Sequence, residues 1–460
     1  MTTFRFRIDA IKQQLQRRFG QTTDLMLVPI RIGSRQGLLC YLTTMTNTTF
    51  LTETVTTPLL QAYRQGGLAD ADRGLDAVRE LLFGGLTTRL LDDPQPLPVL
   101  LTQGYAGLLL DGEPLMLMID VKELEKRPIS EPTTQNVIKG PKEAFTESAD
   151  TNMSLIRRRI LNERLRFEKY VVGSQSQTPV YLAFVEGEAD ERVLRDIRDC
   201  LQGSSMVSLF DSGSMEQLFR SRRGLLFPTL YNSERPDSIC SCLMDKRVAL
   251  IVNGSPFVLV VPALFSDFFK SPEDDYQWFL LGSFIRVLRY LAFMLSLSLS
   301  ALYVAATCYH QELIPTLLLT SIAAQRIGIP FPAVVEMLLM EMTFELLREA
   351  GTRMPRLVGQ SISIAGALVL GEASVQAGIV SNITVIVVAL TAIAGFVSPV
   401  YSFGANIRLF RYALIILGSL FGLYGVIVGF AFLVVHLTRI ETFGIPYLSP
   451  LARLGGRRSH

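Results

Sequence analysis

The chain is poor in the side chains on which most metal and cofactor sites depend. Its 460 residues include three histidines, none at metal-ligand spacing from another, and five cysteines without a Cys-x-x-Cys pair. An odd number of scattered cysteines fits reduced thiols better than a disulfide framework or a zinc site. The phosphate-binding glycine loops and the serine- and zinc-hydrolase motifs are also missing. We therefore predict no metal, no cofactor and no enzymatic activity.

Charge is scarce in the second half of the chain. Most Lys, Arg, Asp and Glu residues precede Gln277, and Leu357–Ile407 carries a single charged side chain, Glu372. The formal net charge of +2 gives no support for a nucleic-acid partner. Because Met1–Arg18 is charged and amphipathic, it does not resemble a signal peptide. The predicted fold class is an α/β cytoplasmic N-terminal region of two subdomains, followed by an α-helical multi-pass membrane domain.

The first half alternates strand and helix patterns. Apolar runs on both sides of Asp111-Gly112 predict a hairpin, and Arg247–Val261 repeats its order of apolar run, Asn-Gly, Pro and apolar run. Two such units favour two subdomains on related plans, residues 1–135 and 136–282, although unrelated hairpins with common turn chemistry would look the same. Further predicted strands and helices are Leu25–Ile30, Gly37–Thr43, Val55–Tyr63, Leu75–Phe83, Val180–Val185, Glu188–Leu201, Val207–Phe210 and Ser214–Arg222.

A helix is predicted over Glu143–Leu165, after a polar linker at Glu123–Lys139. It contains three consecutive arginines, Arg157, Arg158 and Arg159. Since neighbouring helical residues point about 100° apart, these cannot form one compact patch. A solvated helix face with salt bridges is therefore favoured over phosphate binding.

The helical domain is predicted at residues 283–440, with a short basic tail at 441–460. Four apolar stretches are long enough to span a membrane, and the stretch from Leu313 to Leu347 leaves a fifth span open. Small residues recur every four positions in two of the spans, which permits close helix contacts in a bilayer. The four spans are Tyr290–Tyr309, Ser361–Val380, Ile383–Pro399 and Tyr412–Val435.

The helix predicted at Ala333–Ala350 mixes apolar residues with carboxylates. Glu341, Glu345, Arg348 and Glu349 gather on one side, which favours a water-facing stripe. Glu336 lies on the apolar side, where a role in an ion path and a surface position near a frayed helix end are equally supported. For Glu372, an interhelical structural hydrogen bond and a pore or gate role are equally supported.

These residues resemble the A-subunit family of GerA-type spore nutrient germinant receptors, from Val137 onward. Departures are small: Asn253 replaces a usually acidic residue, and Glu372 stands where glutamine is more frequent. The matching positions are Gly140, Pro141, Glu147, Asn152, Leu155–Ile160, Asn232–Pro236, Asp267–Asp274, Pro330, Pro332, Glu336, Glu341, Phe344–Ala350, Gly359, Gln360, Gly371–Ala373, Gly378, Val385–Ala394 and Pro446–Pro450.

The resemblance implies a subunit of the spore inner membrane that acts with a transporter-like B subunit and a lipoprotein C subunit. It also implies a homo-oligomer that couples nutrient sensing to cation release. The carboxylates of the apolar helices, Glu336, Glu372 and Glu341, are the candidate residues of an ion path or gate. Stage V sporulation AF-like proteins share the same motifs. The alternative function is that of a stage V sporulation AF-like accessory protein or a non-conducting membrane scaffold for the receptor.

Overall fold

The computed structural model describes residues 7–32, 35–64, 75–83, 85–122, 132, 135, 137, 139–219, 227–353, 366, 369–397 and 399–449. The chain divides into two compact units. The α/β unit comprises residues 1–136, 141–221 and 230–262. The helical unit comprises residues 137–140, 222–229 and 263–460.

The α/β unit contains two antiparallel five-stranded sheets with the same strand order. The strand order is β1-β2-β4-β5-β3 in the first sheet and β6-β7-β9-β10-β8 in the second. Corresponding strands therefore occupy the same positions in both sheets. Both predicted hairpins are present, and Gly112 and Gly254 turn them with positive φ. The two sheets follow one plan, as the repeated hairpin predicts, while the division into subdomains at residues 1–135 and 136–282 stays a prediction. The strands are β1 Leu25–Ile32, β2 Arg35–Leu42, β3 Thr88–Leu91, β4 Tyr105–Leu110, β5 Met116–Asp120, β6 Leu165–Val172, β7 Thr178–Val185, β8 Tyr231–Ser233, β9 Val248–Val252 and β10 Val258–Val261.

Helices cover the faces of these sheets. The central strands β4 and β9 are buried along their whole length, because both of their faces are covered. The helices are α1 Ile8–Phe19, α2 Thr48–Leu51, α3 Thr57–Arg64, α4 Leu75–Phe83, α5 Leu97–Thr102, α6 Ala149–Arg159, α7 Glu191–Gln202, α8 Ser212–Phe219 and α9 Pro236–Met244, with a π-helical turn at Thr52–Thr56 between α2 and α3.

Two predicted elements of this unit are wrong. The helix predicted from Glu143 begins only at Ala149, because the Ser148 side chain caps it by accepting a hydrogen bond from the Thr151 N–H. It ends at Arg159, since Leu165 already belongs to β6. Val207–Phe210 is not a strand but a connecting segment whose polar groups bond to the β6–β7 turn. The predicted linker at Glu123–Lys139 lies mostly outside the described residues.

The helical unit follows from Ala263. Its elements are a 3₁₀ turn at Phe265–Phe269, α10 Glu273–Tyr276, α11 Phe279–Cys308, a 3₁₀ turn at Gln311–Leu313, α12 Thr316–Arg326, α13 Ala333–Arg353, α14 (residues 369–376), α15 Asn382–Phe396, α16 Tyr401–Arg439, β11 Glu441–Thr442 and β12 Ile445–Pro446. Within the described residues, two helices are long and apolar enough to cross a membrane, Phe279–Cys308 and Asn406–Arg439. Most of the span predicted at Ser361–Val380 lies outside the described residues.

Helix α16 reverses direction at Gly422, which has a non-helical backbone with φ +61° and ψ −142°. A Cβ atom placed on Gly425 would clash with the Leu417 carbonyl, although residues eight apart in a straight helix lie about 12 Å apart. Farther along, Gly429 meets the Leu414 side chain. The residues before and after Gly422 therefore form an antiparallel helical hairpin. The single span predicted at Tyr412–Val435 is wrong for this reason.

Aromatic contacts place both ends of α16 together. The Phe227 ring lies 5.6 Å from Phe403 at the start of α16 and 6.3 Å from His436 near its end. Phe403 also stacks on Phe268, just before α11, with ring centroids 4.9 Å apart. The tip of the hairpin, in turn, bonds to Tyr309 at the far end of α11, through the Ser419 and Leu420 carbonyls. Helix α11 and the two arms of α16 thus run alongside one another.

Candidate functional site in the helical unit

The candidate site is built on α13, which begins immediately after Pro332. The Pro332 carbonyl accepts hydrogen bonds from the N–H groups of Val335 and Glu336, so this proline starts the helix. Pro330 is exposed two residues earlier. Along α13, Glu336, Glu341 and Glu345 each approach an arginine of another helix.

Glu336 is fully buried at the N-terminus of α15. Its carboxylate accepts hydrogen bonds from the Ser381 N–H at 3.0 Å and from the Thr384 hydroxyl at 3.3 Å. The other carboxylate oxygen lies 3.4 Å from Nη2 of Arg326, at the end of α12. A carboxylate is stabilised there because the N-terminus of a helix carries partial positive charge. The surface position considered for Glu336 is wrong, since its relative exposure is 0%.

Glu341 is buried in the same unit and paired with Arg411 of α16. The Arg411 Nη1 atom lies 2.8 Å from Glu341 Oε2, with 4% and 3% of the two side chains exposed. The Ser300 hydroxyl of α11 donates to Glu341 Oε1 at 2.7 Å and lies 3.2 Å from the Thr391 hydroxyl of α15. The pair therefore links four helices. The water-facing stripe predicted for this side of α13 is wrong at Glu341.

The charges become more exposed toward the end of α13. Glu345 pairs with Arg408 of α16 at 3.1 Å and with Arg348 at 3.4 Å, and a third of its side chain is exposed. The Arg348 guanidinium lies over the Phe344 and Phe396 rings, 5.0 and 4.9 Å from their centroids. Glu349, one turn further, pairs with the exposed Arg353 at 2.6 Å.

Glu372 lies outside this buried network. It is exposed on α14, and its carboxylate accepts a hydrogen bond from the Gln376 amide at 3.1 Å. Its role in an ion path or gate stays a prediction. Within the described residues, no group of three or more His, Cys, Asp or Glu side chains is placed to hold a metal ion.

The remaining predicted residues lie in or next to the α/β unit, where several have structural contacts. Gly140 has a φ of +132°, and the Pro141 carbonyl accepts a hydrogen bond at 3.0 Å from the buried Arg235. The Asn152 side chain bonds to both the N–H and the carbonyl of Thr146, at 2.8 and 2.6 Å. Glu147 has an exposed side chain, and its carbonyl accepts from the N–H of Gly254. These contacts fix the segment before α6 against the second hairpin.

The three arginines of α6 have different environments. Arg157 is fully buried and binds Asp24 through both Nε and Nη2, while its Nη1 donates to the carbonyls of Asn162 and Leu165. The solvated helix face predicted for the arginines is therefore wrong for Arg157. Arg159 pairs with Glu143, and with Arg158 it borders an open cavity of about 420 Å³, also lined by Pro141, Lys142, Glu143 and Leu155.

Sequence reasoning missed most partners of the buried carboxylates. Arg411 directly precedes the span predicted at Tyr412–Val435, and an arginine among apolar residues is itself a signal of internal pairing. The hydroxyl partners give no such signal, because serine and threonine are common in apolar helices. The missed residues are Asp24, Ser300, Arg326, Ser381, Thr384, Thr391, Arg408 and Arg411.

These features define a class: an α/β unit of two like sheets, followed by a helical unit with candidate membrane spans and buried Glu–Arg pairs. The chain belongs to the Bacillus/Clostridium GerA spore germination protein family, which it matches over residues 13–458. The resemblance inferred from the motif residues is thereby confirmed.

Individual relatives agree. The chain is 42% identical to spore germination protein KA of Bacillus subtilis (strain 168) over 95% of its own length and 80% of that protein. It is 39% identical to spore germination protein A1 of the same organism, over 75% of this chain and 72% of that one. The crystal structure of the N-terminal domain of the A subunit of the Bacillus megaterium spore germinant receptor GerK3 is 25% identical, covers 58% of this chain and 99% of that one, and has a TM-score of 0.44.

Proposed function

We propose that the protein is the A subunit of a spore nutrient germinant receptor and couples nutrient sensing to cation release. Family membership supports the role in germination. The coupling to cations is supported chiefly by one observation, the complete burial of Glu336 in an apolar helical unit. An ionisable residue inside a membrane domain is costly to bury and is by default a functional-site candidate.

The proposed location is the spore inner membrane, crossed several times, with the α/β unit in the cytoplasm. The apolar α11 and α16 would supply spans, and the reversal at Gly422 would make each arm of α16 a separate crossing. Both ends of α16 lie beside the start of α11, so the C-terminal segment would return to the face where α11 begins. The proposed partners are a transporter-like B subunit, a lipoprotein C subunit and further copies of this chain.

Within this proposal, Glu336 is the residue that contacts the cation. Its Oε2 atom and the Thr384 hydroxyl lie 3.3 Å apart, and oxygen atoms of this kind are ligands of hard cations. Glu341 is already neutralised by Arg411 at 2.8 Å, so it suits a gate that holds helices together. Glu372 is proposed at the exposed side of the path.

The test is cation flux through the purified protein in liposomes. Glu336→Ala and Glu372→Gln are expected to change the flux while the oligomeric state in detergent stays the same. Glu312→Gln, an exposed carboxylate in the turn after α11, is the matched control. If the parent protein and the Glu312→Gln control conduct cations equally, the result supports conduction. If the parent protein shows no flux, the result supports the non-conducting scaffold. Parent-like flux in both test variants removes Glu336 and Glu372 from the path.

A further inference from the structure

The open cavity beside α6, in the α/β unit, is bordered by more positive than negative charge. Its wall contains Lys142, Arg158 and Arg159 together with the carboxylate of Glu143, and Leu155 adds an apolar contact. The volume of about 420 Å³ lies within the range of small-molecule sites, roughly 300–1,000 Å³. These properties fit a small organic anion better than a neutral ligand.

The chain segment that forms one wall of this cavity is fixed by residues that directly follow β8. The buried Arg235 donates a hydrogen bond to the Pro141 carbonyl at 3.0 Å. The Phe145 N–H donates to the Glu234 carbonyl at 2.7 Å. Because these contacts already hold the wall in place, a ligand would not have to order it, and less free energy is lost on binding.

The opposite wall is the last turn of α6, where the three consecutive arginines separate into two groups. Arg157 is buried against Asp24 and serves the structure. Arg158 and Arg159 both line the cavity. Since neighbouring residues of a helix point about 100° apart, these two side chains can approach one ligand from different sides.

Arg159 has hydrogen-bonding capacity beyond its ion pair. Its Nη2 atom pairs with Glu143, and the two side chains are 25% and 45% exposed. Among the residues that the structure describes, none accepts a hydrogen bond from the buried Nε of Arg159. A buried donor normally has a partner, so an acceptor that enters the cavity would satisfy this one. Since ion pairs this exposed are weak, a stronger anion can displace Glu143.

We propose that this cavity binds the phosphate group of a phosphate monoester. Such a group carries about two negative charges at neutral pH, which matches the excess of positive charge among the lining residues, whereas a single carboxylate carries one. The guanidinium of Arg159 binds phosphate through two parallel N–H donors, and Leu155 contacts the organic part of the ligand. The inference does not depend on whether the helical unit conducts ions.

Isothermal titration calorimetry of the full chain in detergent tests the proposal. The soluble probe is ribose 5-phosphate, and ribose is its neutral reference. Phosphatidic acid added to the micelles presents the same phosphate monoester on a lipid. Saturable binding of either phosphate compound, without binding of ribose, supports phosphate recognition, and comparison of the two shows whether the phosphate comes from a soluble molecule or from a membrane. Binding of neither compound overturns the proposal.

Two substitutions in the cavity are expected to change the affinity in opposite directions. Arg159→Gln should weaken binding about tenfold or more, because charged hydrogen bonds to the phosphate are lost. Glu143→Gln should strengthen binding about two- to fivefold, because it removes the anion that competes for Arg159. Arg192→Gln, an exposed arginine of α7 outside the cavity, is the control and should leave Kd unchanged.

The gain in Glu143→Gln keeps the test decisive if Arg159→Gln does not fold. A general loss of structure weakens binding and cannot strengthen it, and nearly half of the Glu143 side chain is exposed, so its replacement is tolerated. A parent-like Kd in Arg159→Gln, or an affinity of Glu143→Gln no higher than that of the parent, overturns the assignment of the site to this cavity.

Discussion

The buried ion pair between Asp24 and Arg157 connects the two sheets of the α/β unit and can be broken by one substitution. Arg157 Nη2 lies 2.8 Å from Asp24 Oδ2, and the two side chains are 0% and 1% exposed. The hydroxyls of Thr22 and Thr44 also donate to this carboxylate, at 2.5 and 2.8 Å. Asp24→Asn keeps the shape but removes the charge and turns an acceptor toward the guanidinium into a donor.

The expected cost is large because Arg157 would remain buried without a counter-ion. Removing one partner of a buried pair costs about 3–5 kcal/mol of unfolding free energy. The exposed pair Arg18–Glu163, at 39% and 31% exposure, joins the same parts of the unit and supplies the matched control. Glu163→Gln should cost no more than about 1 kcal/mol. Replacing Asp24 and Arg157 together by apolar residues of similar volume should recover much of the loss.

Thiol labelling during urea unfolding measures this difference in the full chain. Cys40 lies in β2 of the first sheet and Cys240 in α9 beside the second, and both are buried. The dependence of each thiol's labelling rate on urea concentration therefore reports the unfolding of the sheet beside it. At m values of about 1–3 kcal/mol/M, Asp24→Asn should lower both midpoints by roughly 1 M or more. Midpoints equal to those of Glu163→Gln would refute the reasoning.

Two further predictions concern a helix reversal and a thiol. Gly422→Ala should destabilise the helical unit in detergent by about 1–3 kcal/mol from backbone strain, and by more because the new Cβ would approach Tyr309 and His310 to 2.9 and 2.8 Å. Gly371→Ala is the control, since its Cβ would have its nearest neighbour at 3.7 Å. Equal stability of the two variants would contradict the reversal. Burial raises the pKa of Cys40 from 9.0 to about 12, so the stability this thiol contributes below pH 9 should be lost as pH rises toward 12. The unfolding free energy of Cys40→Ala should therefore fall less between pH 8 and about 10.5 than that of the parent, and equal falls would contradict this linkage.

The architecture of the α/β unit could be predicted because its signals are local. Asp111-Gly112 and Asn253-Gly254 each specify a tight turn between apolar runs, and the repeat of that pattern led to the correct inference of two related sheets. Local capping explains the main error. Ser148 is a better helix start than Glu143, but choosing between them required knowing that Asn152 holds Thr146 outside the helix.

The candidate site could be predicted only in part, because its pairs join residues far apart in the sequence. Periodicity placed Glu341 on a polar face, and nothing near it in the sequence indicates that Arg411 lies 2.8 Å away. The reversal at Gly422 was missed for a related reason. A glycine in an apolar run is compatible both with close helix packing and with a turn. The contacts of Gly425 and Gly429 with the preceding arm of α16 show that the chain turns here.

The two buried carboxylates of α13 differ in how firmly they are held, and this difference distinguishes their roles in the proposed ion path. Glu341 and Arg411 are both at least 96% buried, at 2.8 Å, so separating them would leave two unpaired charges inside the protein. Glu336 instead depends on the Ser381 N–H and on Arg326, whose side chain is 26% exposed and lies 3.4 Å away. A charge of that kind can be compensated by water as it moves. Under the proposed function, Glu336 is therefore the carboxylate expected to release Arg326 for a cation, while Glu341 is expected to hold its helix in place.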